Sequence, residues 1–264
     1  MSSLVVLLAA LLSPSGIPGP APDTAPRPQD APPQEPPPTF PQWTGSLALG
    51  ASWTDGNTEA ETLTGTFNAI RRGEDDRWTL DLYSNYGETT DRATEDTDIT
   101  TNNHGGSLKY DRFLSKKLYA FGNGSGKVDH VADLDLRYVA GAGVGYQWKE
   151  SEKLKWGTEA GLSYVDEDFA DDTADVDFTA ARLASNLAYQ ISSTTAFEQV
   201  AELLPSLDDS EDVIARVDNR LKLSIIGRWI AQIQYVLDFD GSPAPGNEEA
   251  DHRVVLAVGW GFGK

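Results

Sequence analysis

The chain has 264 residues, no cysteine, and 41 acidic against 21 basic side chains, for a formal net charge of −20. The lack of cysteine excludes a disulfide framework, a thiolate metal site and lipid attachment through sulfur. The acidity argues against a nucleic-acid partner, because a phosphate backbone requires neutralisation by Lys and Arg.

Leu4 to Leu12 is an unbroken apolar run followed by small residues at Ser13, Ser15 and Gly16. It is too short to cross a bilayer as a helix and suits the apolar region of an export signal, which we place at 1–22. Residues 13–42 hold 12 of the 15 prolines, so this stretch, which overlaps the signal's cleavage region, reads as a semi-rigid spacer. The remaining prolines (Pro205, Pro243 and Pro245) all fall in predicted loops and no predicted strand contains proline, as a continuous sheet requires.

From Trp43 onward the hydrophobic period is two. Leu47, Leu49, Ala51 and Trp53 share one face; so do Trp78, Leu80, Leu82 and Tyr86. The alternation is clearest over Leu136, Tyr138, Ala140, Ala142, Val144, Tyr146 and Trp148, and returns over Trp229–Phe239 and Val254–Phe262. We predict 12 strands at 43–53, 59–71, 77–87, 102–112, 117–127, 135–149, 153–165, 177–191, 194–204, 213–226, 228–239 and 251–262. Strand eight needs a bulge near Ala180–Arg182 to keep its parity. Most strands reach the roughly 9–11 residues that cross a membrane at a tilt. Connections alternate between short turns and mostly longer loops. An even strand count with that alternation describes an all-β, 12-stranded antiparallel up-and-down transmembrane barrel over residues 43–264, with both barrel termini periplasmic.

All seven tryptophans have outward parity. Trp43, Trp78, Trp148, Trp156, Trp229 and Trp260 sit at the short-turn end of their strands and Trp53 at the other, as in an aromatic girdle at a membrane interface. A soluble acidic β-barrel that binds a ligand would alternate equally well, but would scatter these rings through its centre. Charge is also polarised. The long-loop segments carry 27 of the 41 acids and only two bases, Arg92 and Lys127.

The inward set is polar: Lys109, Asp111, Arg137, Lys155, Glu159, Arg182, Glu198, Glu202, Arg216, Asp218, Arg220, Lys222 and Arg228. Pairing strands nine and ten around the 205–212 loop sets Glu202 against Arg216 and Glu198 against Arg220 in one register. The lumen network Glu198, Glu202, Arg216, Asp218, Arg220 and Lys222 is then either a charged constriction that sorts small solutes or a bridged plug that holds the wall together. Asp166, Glu167, Asp168, Asp171, Asp172 and Asp175 form the densest acid cluster. It lacks the glycine and spacing of a calcium loop, leaving a solvated surface or a weak divalent-cation screen. No cofactor is implied. His104 and Ser107 have opposite parity and cannot act together, so no catalytic pair emerges.

Trp43-Thr-Gly-Ser-Leu-Ala-Leu-Gly-Ala-Ser-Trp-Thr-Asp-Gly-Asn-Thr58 resembles the opening of the salt-stress-induced outer-membrane protein family (YdiY-like, domain of unknown function 481). Leu108–Phe121, Gly141-Ala-Gly-Val-Gly-Tyr146 and Glu202-Leu-Leu-Pro-Ser-Leu207 resemble it too, so the resemblance covers about 43–262. It implies a bacterial outer-membrane barrel without established chemistry, made by the barrel-assembly machinery and surrounded by lipid or lipopolysaccharide. The proline spacer departs from the pattern. Residues and resemblance together lead to a structural or stress-related envelope barrel, with a narrow passive channel as the alternative.

Overall fold

A computed structural model describes residues 43–54, 58–91, 93–170, 175–209, 211–244 and 246–263, without the side chains of residues 53, 54 and 58. The expected signal (1–22) and spacer (13–42), the Trp53 side chain, and Asp171 and Asp172 lie outside what is described.

Twelve strands follow one another: β1 (Trp43–Thr54), β2 (Thr58–Arg72), β3 (Asp76–Asp91), β4 (Thr97–Phe113), β5 (Leu118–Asp129) and β6 (Leu134–Glu150), then β7 (Leu154–Phe169), β8 (Val176–Gln190), β9 (Thr195–Pro205), β10 (Val213–Ile226), β11 (Trp229–Asp240) and β12 (Ala250–Phe262). Each strand pairs antiparallel with the next, and β1 closes on β12 from Gly45↔Phe262 to Leu49↔Val258.

The five turns at one end are tight. In the two-residue connection after β10, Gly227 adopts φ 58°, a left-handed conformation that glycine takes without steric cost. At the other end the strands run further than the sequence suggests. β3 and β4 extend to Asp91 and Thr97, and β7 extends to Phe169, so the connections there shrink to 92–96 and 170–175. The Asp and Glu residues in these extensions are poor strand formers by composition, but the neighbouring ladder supplies their backbone partners.

The outward faces carry Leu47, Leu49, Leu82, Val144, Leu162, Val254, Leu256 and Val258 in the open; Val254 and Leu256 are 69% and 68% exposed. At the short-turn end this belt meets Trp229 against Trp260 (5.3 Å between ring centroids), Trp148 against Trp156 (5.9 Å) and Trp78 against Tyr110 (4.7 Å). The indole N–H groups of Trp148 and Trp156 donate to Thr158 and Ser185 at 2.9 and 3.3 Å.

One expectation fails inside β8. The ladder to β7 runs through 180–182 without a shift of register, and the isolated bridge Ala180↔Ser206 keeps the register of the β9 ladder that starts at Leu183↔Leu203, so there is no bulge. Parity is kept instead by turning Phe178 inward. It packs with Val139, Val165, Ala180 and Leu204 in an apolar cluster on one side of the lumen. The sequence pattern assumes a wholly polar interior, and this patch breaks that assumption.

Candidate functional site

The lumen is the candidate site, because inward parity concentrates the charged side chains there. Strand β6 shapes it first. Gly141, Gly143 and Gly145 face inward, and a methyl group on Gly145 would lie 2.2 Å from the Tyr119 ring. These glycines let Tyr119 and Phe121 of β5 lie flat across β6. The Tyr119 hydroxyl then donates to Glu159 on β7 at 2.8 Å.

Glu159 is buried at the centre of a chain of charges. Lys109 on β4 bonds to it across two intervening strands, and Arg182 on β8 donates at 2.8 Å. Arg182 continues to Glu202 on β9 at 2.6 Å. Lys109 also meets Asp111 at 2.9 Å, and Asp111 receives Arg77 of β3 at 2.6 Å. At the short-turn end the Arg72 guanidinium sits 3.7 Å from the Phe113 ring centre. The buried charges are thus neutralised in series, which burial in low dielectric demands.

Two further struts cross the barrel. Arg220 on β10 bonds to Asp218 at 2.6 Å and reaches Asp81 on β3 at 3.4 Å. Gln234 donates to both Asp218 oxygens at 3.0 Å. Nearer the long-loop mouth, Arg137 on β6 bridges Glu167 on β7 and Asp240 on β11. Beside it Arg216 pairs with Asp238 at 2.6 Å and lies 5.2 Å from the Tyr83 ring centre on β3.

All six residues of the expected lumen network face inward. The expected register also occurs: Arg216 opposes Glu202 and Arg220 opposes Glu198. The expected ion pairs do not. Glu202 is bonded to Arg182, Arg216 to Asp238, Arg220 to Asp218 and Asp81, and Glu198 to Lys222 at 2.7 Å. Curvature points each side chain toward the barrel axis, where carboxylates from several other strands compete with the one directly opposite. Lys155 and Arg228, also expected inside, are exposed at the short-turn end, and Arg228 lies in the β10–β11 turn.

The expected cation surface is divided by strand parity. Glu167 is buried in the lumen with Arg137. Asp166 accepts from the Tyr164 hydroxyl on the outer face, Asp168 is exposed, and Asp175 accepts from the Phe169 amide. No group of three or more metal-ligating side chains occurs among the described residues. His104 lies on the outer face, bonded to Ser84 at 2.8 Å, opposite in parity to Ser107. Sequence reasoning missed Arg77, Asp81, Tyr119, Asp238, Asp240 and Arg253 as lumen groups. Their signal was present: each occupies the inward parity of its strand, but Asp238 and Asp240 read as loop acids.

A cavity of about 520 Å³ occupies the long-loop half of the lumen, reaching down to the Arg220–Asp81 pair. The described residues of the β11–β12 loop (241–244 and 246–249) lie over it. Ala244 is buried against Leu134 and Phe169, and the Asn247 side-chain amide donates to the Ala132 carbonyl at 3.3 Å, across the mouth in the β5–β6 connection.

Comparison with known proteins gives one family match: a family described as "Protein of unknown function, DUF481" matches residues 47–262. No curated protein matches the chain. Among solved structures the chain is similar to the NanC porin (11% identity, 83% of this chain and 100% of that one, TM-score 0.48). It is also similar to the COG4313 outer membrane channel from Pseudomonas putida F1 (12%, 89% and 100%, 0.47) and to the translocator domain of the autotransporter NalP from Neisseria meningitidis (12%, 83% and 87%, 0.43).

Proposed function

This chain belongs to the DUF481 family, and from that membership and its geometry we propose that it is an integral outer-membrane barrel whose ion-paired lumen makes it a structural element of the envelope. The observation that carries the membrane reading is the continuous outward belt of exposed Leu, Val and Trp. Soluble monomers rarely expose contiguous apolar patches beyond a few hundred Å², whereas a barrel in lipid requires such a belt. The closed backbone ladder supports the same reading, since hydrocarbon leaves no other partner for N–H and C=O groups. The acidic long loops would face outside, near lipopolysaccharide, and both barrel termini the periplasm. The lumen supports a structural role because two struts, Arg220–Asp81 and Arg137–Asp240, tie nearly opposite walls together.

The 520 Å³ cavity favours a second reading, a narrow passive channel for small solutes. Planar-bilayer recording separates the two. A silent bilayer containing correctly inserted barrel is expected of the structural element. Regular, salt-dependent current steps from the unaltered chain would establish the channel instead.

A further inference from the structure

The cavity beneath the β11–β12 loop has an unusual balance of charge. Its lining includes nine carboxylates and five basic side chains. Every one of those bases is already engaged: Lys127 with Asp129, Arg137 with Glu167 and Asp240, Arg216 and Arg253 with Asp238, and Arg220 with Asp218 and Asp81. Glu248, Glu249 and Asp251 carry no ion-pair partner among the described residues. The unneutralised charge of the chamber is therefore negative, and walls of low dielectric focus it.

The chamber also has room at its centre. Val200 on β9 has inward parity, opposite Asp218, yet its side chain is 42% exposed. Its surface faces the cavity. Above it the base of the loop is anchored by backbone hydrogen bonds, Gly241 N–H to the Val213 carbonyl at 2.9 Å and Asp240 N–H to the Glu249 carbonyl at 2.8 Å, but across the mouth the described residues hold it by one small apolar side chain, Ala244, and one hydrogen bond from Asn247. Those latter contacts join the β11–β12 loop to the β5–β6 side, six strands away around the wall, so the loop spans the mouth as a strap.

We propose that this chamber admits small cations in preference to anions, and that the 241–249 strap controls their access from the long-loop side. The preference follows from the free carboxylates at the mouth, and the control from the strap's position. It concerns the barrel interior alone, so it is testable in detergent whether or not the membrane reading holds.

The chain has no native thiol, so Val200→Cys supplies a single reporter inside the chamber. The detergent-refolded barrel is treated with two methanethiosulfonate reagents of similar size, one bearing trimethylammonium and one bearing sulfonate. Their rates are corrected for reaction with a free thiol. The cationic reagent is expected to react about tenfold faster, within the range by which a focused field changes association rates. Asp251→Asn with Glu248→Gln and Glu249→Gln should shrink that ratio several-fold. Ala244→Asp puts a carboxylate between Leu134 and Phe169 and should undock the strap, raising the rates of both reagents; Asn247→Ala should act likewise from the other contact. Equal rates for the two reagents would overturn the cation preference. Rates unchanged in both strap variants would overturn the control by the strap.

Discussion

The guanidinium of Arg220 on β10 lies 3.4 Å from the carboxylate of Asp81 on β3, five strands away around the wall. Both residues line the long-loop cavity, and Arg220 is also the main counter-charge of buried Asp218. Removing it in Arg220→Ala leaves Asp218 without a cationic partner, at an expected cost of about 3–5 kcal/mol. Urea unfolding in lipid vesicles measures that loss. Asp81→Asn breaks only the strut and should introduce current steps in planar bilayers while changing stability less. Identical traces from the native chain and Asp81→Asn would mean that the strut does not close the lumen.

Glu159 receives Lys109, Arg182 and Tyr119 together. Glu159→Gln keeps the shape but leaves two buried cations short of one negative charge. A destabilisation of about 3 kcal/mol or more is expected, larger than for Tyr119→Phe, which removes one hydrogen bond worth about 1 kcal/mol. Equal effects of the two substitutions in urea titrations would show that Glu159 is not the centre of the network.

Gly145 is glycine because Tyr119 needs the space. Gly145→Ala should cost about 1–3 kcal/mol by forcing the ring off its position. In a Tyr119→Ala background the same substitution should cost much less. A penalty that persists undiminished would place its origin in the β6 backbone.

Leu256 tests the outer face. In lipid, Leu256→Arg should destabilise the barrel by about 2–4 kcal/mol if the residue lies near the bilayer midplane. On a water-facing wall the same change at a 68% exposed residue should stay within about 0.5 kcal/mol. Urea titration of both forms in vesicles decides between them.

Strand order and face were legible because a closed antiparallel barrel repeats one rule, period two, on every strand. Trp43, Trp148, Trp156, Trp229 and Trp260 set the parity, and the β9–β10 register followed from the 205–212 loop. Ion-pair choice was not legible. Arg220 and Asp81 are distant in sequence and belong to non-adjacent strands, so only closure of the barrel brings them together. Phe178 misled the reading of β8, because an apolar cluster inside the lumen breaks the alternation without any backbone irregularity. Glu167 and Asp168 look equivalent in the sequence, yet parity sends one to Arg137 and the other to solvent.

The most direct test of a membrane barrel is gel mobility of the chain refolded with and without detergent, compared boiled and unboiled. A closed ladder that needs an apolar surround should give a faster-migrating unboiled band only after refolding in detergent. Stable folding in plain buffer, with no mobility shift in either condition, would contradict the membrane barrel and make the exposed Leu and Val belt the surface of a soluble protein.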